Sequence, residues 1–111
     1  MNIKELQEEV HAVAKEKGWH DTPCTTGDLI SLCHAELSEA FEQTRISRNY
    51  TDIFFNDRVG KKPEGFAIEL ADLIMRVLDI AELYKIDLEQ AIKIKLAYNK
   101  TRPHRHGGKL L

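Results

Sequence analysis

The stretch from Pro63 to Tyr84 constrains the fold more than any other part of the sequence. Its apolar residues recur so densely that they cover most of a helix's circumference: Phe66, Ile68, Leu70, Ala71, Leu73, Ile74, Val77, Leu78 and Ala81. A helix that is apolar on nearly all sides has to be surrounded by other elements. Pro63 suits the first turn of a helix, where the missing N–H costs nothing. We therefore predict a central helix that begins near Pro63–Glu64 and ends near Tyr84.

Three further helices are predicted at about residues 2–17, 25–48 and 87–101, because apolar residues recur in each at helical spacing. Short connections between helices favour an all-α fold, namely a four-helix bundle. Residues 49–63 lack the helical period, so we expect a long loop there. A loop of this length in a small domain often takes part in function.

Length and composition fit one domain, residues 1–111, that ends in a basic tail at residues 102–111. Of the 111 residues, 42% are hydrophobic and 31% are charged, which is enough apolar material for a core. Residues 90–111 hold six of the 16 Lys and Arg residues and no acid, so the rest of the chain is acidic. The net charge of −2 excludes a generally basic nucleic-acid binder, and we expect no stable nucleic-acid partner.

We expect a cytoplasmic protein that does not enter a membrane. No apolar run approaches the roughly 18 residues that a membrane-spanning helix needs. The first residues read as a charged amphipathic helix and not as an export signal. The two cysteines, Cys24 and Cys33, are therefore expected to be reduced thiols.

Four carboxylates lie where apolar residues would be expected. Glu36 and Glu39 lie on or beside the apolar face of the second helix, while Glu69 and Asp72 are set among apolar residues of the third. Each pair has i, i+3 spacing, so its side chains point the same way. Facing helices would bring the four anions together, and a hard divalent cation, Mg²⁺ or Mn²⁺ in its place, relieves that repulsion. The alternative is ordinary solvated carboxylates that pair with Lys or Arg.

The order and spacing of these acids resemble the MazG-like family of all-α nucleoside triphosphate pyrophosphohydrolases. The family pattern EExxE, then a spacer, then ExxD, reads here as AELSE at 35–39 and ELAD at 69–72. Ala35 stands where many members have the first Glu, which is less central to the metal cluster. The resemblance covers the chain from Gly27 onward. It implies a small single-domain member that assembles as a homodimer or homotetramer.

The resemblance implies Mg²⁺-dependent hydrolysis of a (d)NTP to the monophosphate and pyrophosphate, in sanitation or control of the nucleotide pool. Its implied metal ligands are Glu36, Glu39, Glu69 and Asp72. Mg²⁺ is the expected cofactor, and Mn²⁺ can substitute. Glu39 is the first catalytic candidate, because it would both hold the metal and activate the attacking water. Glu36 is the second.

The expected nucleotide contacts come from the last helix and from the only Trp. Lys95 and Asn99 have the i, i+4 spacing of a Lys and an Asn that face the phosphates in the family, and Arg102 follows near the helix end. Trp19 is expected either to stack on the base or to anchor the first two helices. On general grounds His11 is expected at the surface or at an interface.

Two other functions remain open from the sequence. A phosphoribosyl-ATP pyrophosphohydrolase shares the fold and the carboxylates. A non-enzymatic helical module could use the same residues to bind nucleotide, or to oligomerise, without turnover. A di-iron carboxylate bundle is disfavoured because the two motifs read ExxE and ExxD, with no His three residues after Glu36, Glu39 or Glu69.

Overall fold

The computed structural model describes residues 1–111, except for the side chain of His106. Its elements are α1 (Ile3–Glu16), α2 (Thr26–Ile46), β1 (Phe54–Asn56), β2 (Lys62–Glu64), α3 (Phe66–Leu83), α4 (Leu88–Thr101) and α5 (His104–Gly108). The prediction of a mainly helical chain is confirmed. Over the described residues, no helix combines the length and the apolar content that spanning a bilayer demands.

The helix starts follow from capping residues that the sequence displays. The Thr25 hydroxyl accepts a hydrogen bond from the Asp28 amide at 3.0 Å, and the Asp28 carboxylate accepts one from the Thr25 amide at 3.0 Å. This reciprocal pair fixes the start of α2. The Asp87 carboxylate likewise accepts from the Gln90 amide at 3.0 Å and starts α4. Both predicted starts are confirmed.

The segment predicted as a loop contains a small β-hairpin, which corrects the all-α prediction in detail. Strands β1 and β2 pair antiparallel, with Phe55 opposite Pro63. Pro63 therefore lies within β2 and not in the first turn of a helix, and α3 begins only at Phe66. Gly65 separates the two with φ +125°, and a Cβ there would lie 2.6 Å from the Asp52 carbonyl oxygen. This close approach requires glycine. The tail is also not wholly irregular, because it contains the short α5.

Helix α3 is central, as its apolar sequence predicts. It packs on α1 and α2. Among the described residues, the buried apolar side chains are Ala14, Leu29, Ala40, Leu78 and Ala81. Most of these are alanines, which let the helix backbones approach closely but bury little apolar surface.

Helix α4 leaves the other helices after its first turn. The Glu89 carboxylate accepts a hydrogen bond from the Ile3 amide at 3.2 Å, whereas residues 90–101 are all exposed. Ile94 is 64% exposed and Leu96 is 52% exposed. The radius of gyration is 16.6 Å, against about 13 Å expected for a compact domain of this length. A single chain thus packs three helices together and leaves the apolar residues of the fourth uncovered.

Candidate functional site

Three of the four predicted metal ligands meet where α2 packs on α3. Glu36, Glu69 and Asp72 each offer one carboxylate oxygen, and these oxygens lie within 4.8 Å of one another. All three residues are partly buried. The i, i+3 spacing on α3 directs Glu69 and Asp72 to the same side, and α2 presents Glu36 to them. We call these three residues the carboxylate cluster.

The fourth predicted ligand, Glu39, lies at the edge of the carboxylate cluster. Its side chain is exposed. It lies close enough to Glu69 for its charge and hydrogen bonding to contribute to the raised pKa of that residue. Glu39 is thus placed beside the cluster and open to solvent.

The carboxylate cluster holds more negative charge than its surroundings stabilise. The pKa of Glu69 is raised to about 7, first by burial, then by Glu39, and then by the charges of Asp72 and Glu36. The pKa of Asp72 is also raised, by burial and by Glu36, against a lowering effect of Arg76. Oxygen Oε2 of Glu69 is buried and has no hydrogen-bond partner among the described residues. A buried oxygen without a donor, among like charges, suits a hard divalent cation.

Arg76 joins the carboxylate cluster to Trp19. Its Nε donates a hydrogen bond to Oε1 of Glu36 at 3.1 Å. Its guanidinium carbon lies 4.5 Å from the centroid of the Trp19 ring, a cation–π geometry worth about 0.5–2 kcal/mol. The sequence predicts that Arg76 pairs with an acid, since it follows Asp72 by one turn, but it contains no signal for the Trp19 contact.

A cavity of about 580 Å³ opens beside the carboxylate cluster. Its lining includes Glu36 and Asp72 of the cluster, and two further charged residues, Glu9 and Arg76. Its remaining wall is largely apolar and includes Val10 and Val13 of α1 together with Trp19. This volume falls within the range of about 300–1,000 Å³ that is typical of small-molecule sites. Sequence reasoning missed the contribution of α1, because an apolar stripe looks the same whether it faces a core or a cavity.

The predicted phosphate-binding residues of α4 lie elsewhere in the chain. Lys95 and Asn99 line a shallow surface hollow of about 330 Å³. The Lys95 Nζ lies 4.9 Å from the centroid of the Tyr98 ring, and the guanidinium carbon of Arg102 lies 5.6 Å from it. Among the described residues, the lining of the 580 Å³ cavity does not include Lys95, Asn99 or Arg102. Their role toward phosphate stays a prediction.

Lys62 is a cation near the carboxylate cluster that sequence reasoning missed. Its charge lowers the pKa of Asp72, which places it within electrostatic range of that carboxylate. Lys62 begins β2, so the hairpin that the sequence did not predict carries it toward α3. The sequence Gly-Lys-Lys-Pro at 60–63 indicates a turn, but it does not indicate the direction in which the Lys62 side chain points.

Comparison of the chain with protein-family models, curated proteins and solved structures finds no match. An all-oxygen donor set with a net negative charge favours Mg²⁺ or Mn²⁺ over softer metals. The orphaned oxygen of Glu69 fits that assignment.

Proposed function

We propose that this chain is a Mg²⁺-dependent nucleoside triphosphate pyrophosphohydrolase, which converts a (d)NTP and water to a (d)NMP and pyrophosphate. The observation that carries the proposal is the carboxylate cluster beside a largely apolar cavity of about 580 Å³ that Glu36 and Asp72 help to line. Carboxylates at one end suit a metal–triphosphate, and apolar walls suit a base and sugar. The resemblance of the acidic motifs to MazG-like enzymes supports the same reaction.

At the phosphate end, Glu36, Glu69 and Asp72 would hold the metal. Mg²⁺ bound there supplies charge neutralisation to the triphosphate and to the pyrophosphate that leaves. Arg76 occupies one oxygen of Glu36, at 3.1 Å, and so fixes the direction of the other. Lys62 is within range to donate to phosphate oxygens.

Glu39 is the group we assign to the attacking water. It is exposed and lies beside Glu69, so its carboxylate is open to a water that approaches the phosphorus from the solvent side. A carboxylate in this position accepts a proton from the water as the new P–O bond forms. Glu36 is already bonded to Arg76, which leaves it better suited to hold metal than to accept a proton.

In the same cavity, Trp19 and the apolar face of α1 would hold the base. The indole is 44% exposed and already has a guanidinium on one side. An exposed aromatic face beside a cavity is suited to stacking on a flat heterocycle. Val10 and Val13 would exclude water from the sugar and the base.

The proposed enzyme is a homodimer or homotetramer. The exposed apolar residues of α4 support this, because an isolated helix gains most of its stability from a packed apolar face. A second copy that covers α4 could also bring Lys95 and Asn99 to a cluster. Ile94→Glu is expected to reduce the mass measured by light scattering, whereas Lys100→Glu, at an exposed polar position of α4, is expected to leave it unchanged. An unchanged mass in Ile94→Glu would contradict an interface through α4.

The test of the reaction is a hydrolysis assay over canonical and modified (d)NTPs and phosphoribosyl-ATP, in which monophosphate and pyrophosphate are both measured. The chain offers a matched control in Glu42, an exposed carboxylate of α2 that pairs with Arg45. Wild type and Glu42→Gln are expected to release both products, and Glu39→Gln, Glu69→Gln and Asp72→Asn are not. Preferred turnover of phosphoribosyl-ATP would move the assignment to that enzyme class. Nucleotide binding without turnover would leave a binding module in its place.

A further inference from the structure

A second group of metal-ligating residue types lies apart from the carboxylate cluster. His11 of α1, His20 of the α1–α2 connection and Asp79 of α3 converge on one point. Nδ1 of His11 lies 2.7 Å from Oδ1 of Asp79. Nε2 of His20 lies 2.9 Å from the same oxygen and 3.0 Å from Oδ2. The two clusters share no residue, so they can be tested separately.

Burial makes this arrangement more than a surface contact. The side chain of Asp79 is 4% exposed, that of His11 is 13% exposed and that of His20 is 20% exposed. A buried carboxylate is costly unless its surroundings pair with it. Two imidazole rings from separate segments, with centroids 5.2 Å apart, both direct a nitrogen at this carboxylate.

We propose that His11 Nδ1, His20 Nε2 and a carboxylate oxygen of Asp79 form a site for a divalent transition metal, with Zn²⁺ as the best match. The three ligand atoms lie within 4.8 Å of one another. Zinc bonds of about 2.0–2.2 Å in tetrahedral geometry separate neighbouring ligands by about 3.3–3.5 Å. The present nitrogen–oxygen distances of 2.7 and 2.9 Å need to open by about 0.4–0.8 Å.

The segment that carries His20 can supply that movement. His20 lies in the connection between α1 and α2, two residues after Gly18, whose φ is +85°. A short connection adjusts at lower cost than a packed helix. The backbones of His11 and Asp79 stay where α1 and α3 hold them, and rotation of these two side chains opens the 2.7 Å distance between them.

Space for a fourth ligand lies beside His20. A cavity of about 30 Å³ is lined by His20 and Asp79, and also by Cys24 and Arg76. This is enough for one water molecule. Two imidazoles, one carboxylate and a water form a donor set that zinc accepts, whereas Mg²⁺ favours oxygen ligands alone.

A metal at this site would fasten α1, the α1–α2 connection and α3 to one another. A ligand that binds only the folded chain stabilises it by mass action. His20 follows Trp19 directly, so the same ion would hold the backbone that presents the indole to the larger cavity.

The experiment uses Co²⁺ as a probe for Zn²⁺, added to the full chain in a large excess of Mg²⁺ that occupies the carboxylate cluster. Bound cobalt per chain is measured, together with the paramagnetic shifts of imidazole ring protons. Wild type is expected to bind one Co²⁺ with two shifted histidine rings. His20→Gln and His11→Gln are each expected to weaken binding by about tenfold or more. His34→Gln and His104→Gln, at exposed positions, are the matched controls and should bind as wild type does.

Two further measurements separate this proposal from the others. Glu69→Gln should keep the bound Co²⁺ while it loses nucleotide hydrolysis, so the two proposals can fail independently. Zn²⁺ should raise the unfolding temperature of wild type and of His34→Gln, but not that of His20→Gln. Failure of wild type to bind Co²⁺ under excess Mg²⁺ would overturn the proposal without recourse to any variant. Binding that persists in both His11→Gln and His20→Gln would also overturn it. His11, His20 and Asp79 would then form a hydrogen-bonded cluster that binds no metal.

Discussion

Asp72 and Asp79 lie on the same helix, two turns or about 10 Å apart, yet their surroundings differ in kind. Asp72 meets two other carboxylates, and burial and Glu36 raise its pKa. Asp79 is more deeply buried, but two imidazoles contact its oxygens. The first aspartate belongs to a group whose negative charge exceeds the positive charge of Arg76 and Lys62 nearby, while the second has two imidazole partners in the metal-free chain. A carboxylate in a helix core therefore indicates function by what surrounds it, and burial alone does not.

The largest expected difference between the two regions is catalytic. Removing one negative charge by Glu69→Gln should lower turnover by roughly 100-fold or more, because a metal ligand is lost. The same substitution should leave the metal-free fold intact, since it also removes repulsion from Asp72 and Glu36. Steady-state kinetics and circular dichroism measure the two effects. Full activity in Glu69→Gln would show that the carboxylate cluster is not the catalytic metal site.

The second difference is in stability. Asp79→Ala should lower the free energy of unfolding of the metal-free protein by about 2–3 kcal/mol, because it leaves two partly buried imidazoles without their acceptor. Under the same conditions, Glu69→Gln should leave the free energy of unfolding unchanged or raise it. Urea titrations of the two variants beside wild type give the comparison. Equal losses in both variants would show that the two carboxylates have the same structural role.

The third difference is a pH dependence that belongs to the carboxylate cluster. The pKa of Glu69 is about 7 in the folded chain, mainly because of burial, against an ordinary value of 4.5. Between these values the folded state binds more protons than the unfolded state, so the stability of the metal-free protein should fall as pH rises from about 4.5 to 7. Urea titrations over this range test the slope. Saturating Mg²⁺ or Glu69→Gln should remove the part of the slope that Glu69 contributes, and a slope unchanged by both would contradict this origin.

The contrast between the two aspartates also shows which parts of the structure the sequence alone could predict. Local signals were sufficient for the starts of α2 and α4, because a cap such as Thr25–Asp28 is complete within four residues, but not for α3, which begins at Phe66 and not near Pro63–Glu64. They were sufficient to expect Glu69 and Asp72 on one side of α3, because helical spacing alone decides this. They were not sufficient for the meeting of His20 with Asp79, which are 59 residues apart and lie on a connection and a helix. A turn has no period from which its direction could be read, and the hairpin that carries Lys62 escaped prediction for the same reason.

Arg76 lies between Asp72 and Asp79 on α3, and its substitution should give the smallest of these effects. Its guanidinium bonds to Glu36 and covers Trp19, so it contacts the phosphate end and the base end of the cavity together. Arg76→Lys retains the charge but loses the planar group that does both. We expect KM to rise several-fold, with a smaller change in kcat, because a cation near Glu36 remains while the indole loses its support. Arg45→Lys, at an exposed ion pair of α2, is the control and should leave both constants unchanged. A fall in kcat without a change in KM would instead indicate that Arg76 acts at the reacting phosphate. That result would contradict its assigned role of holding Trp19 in place.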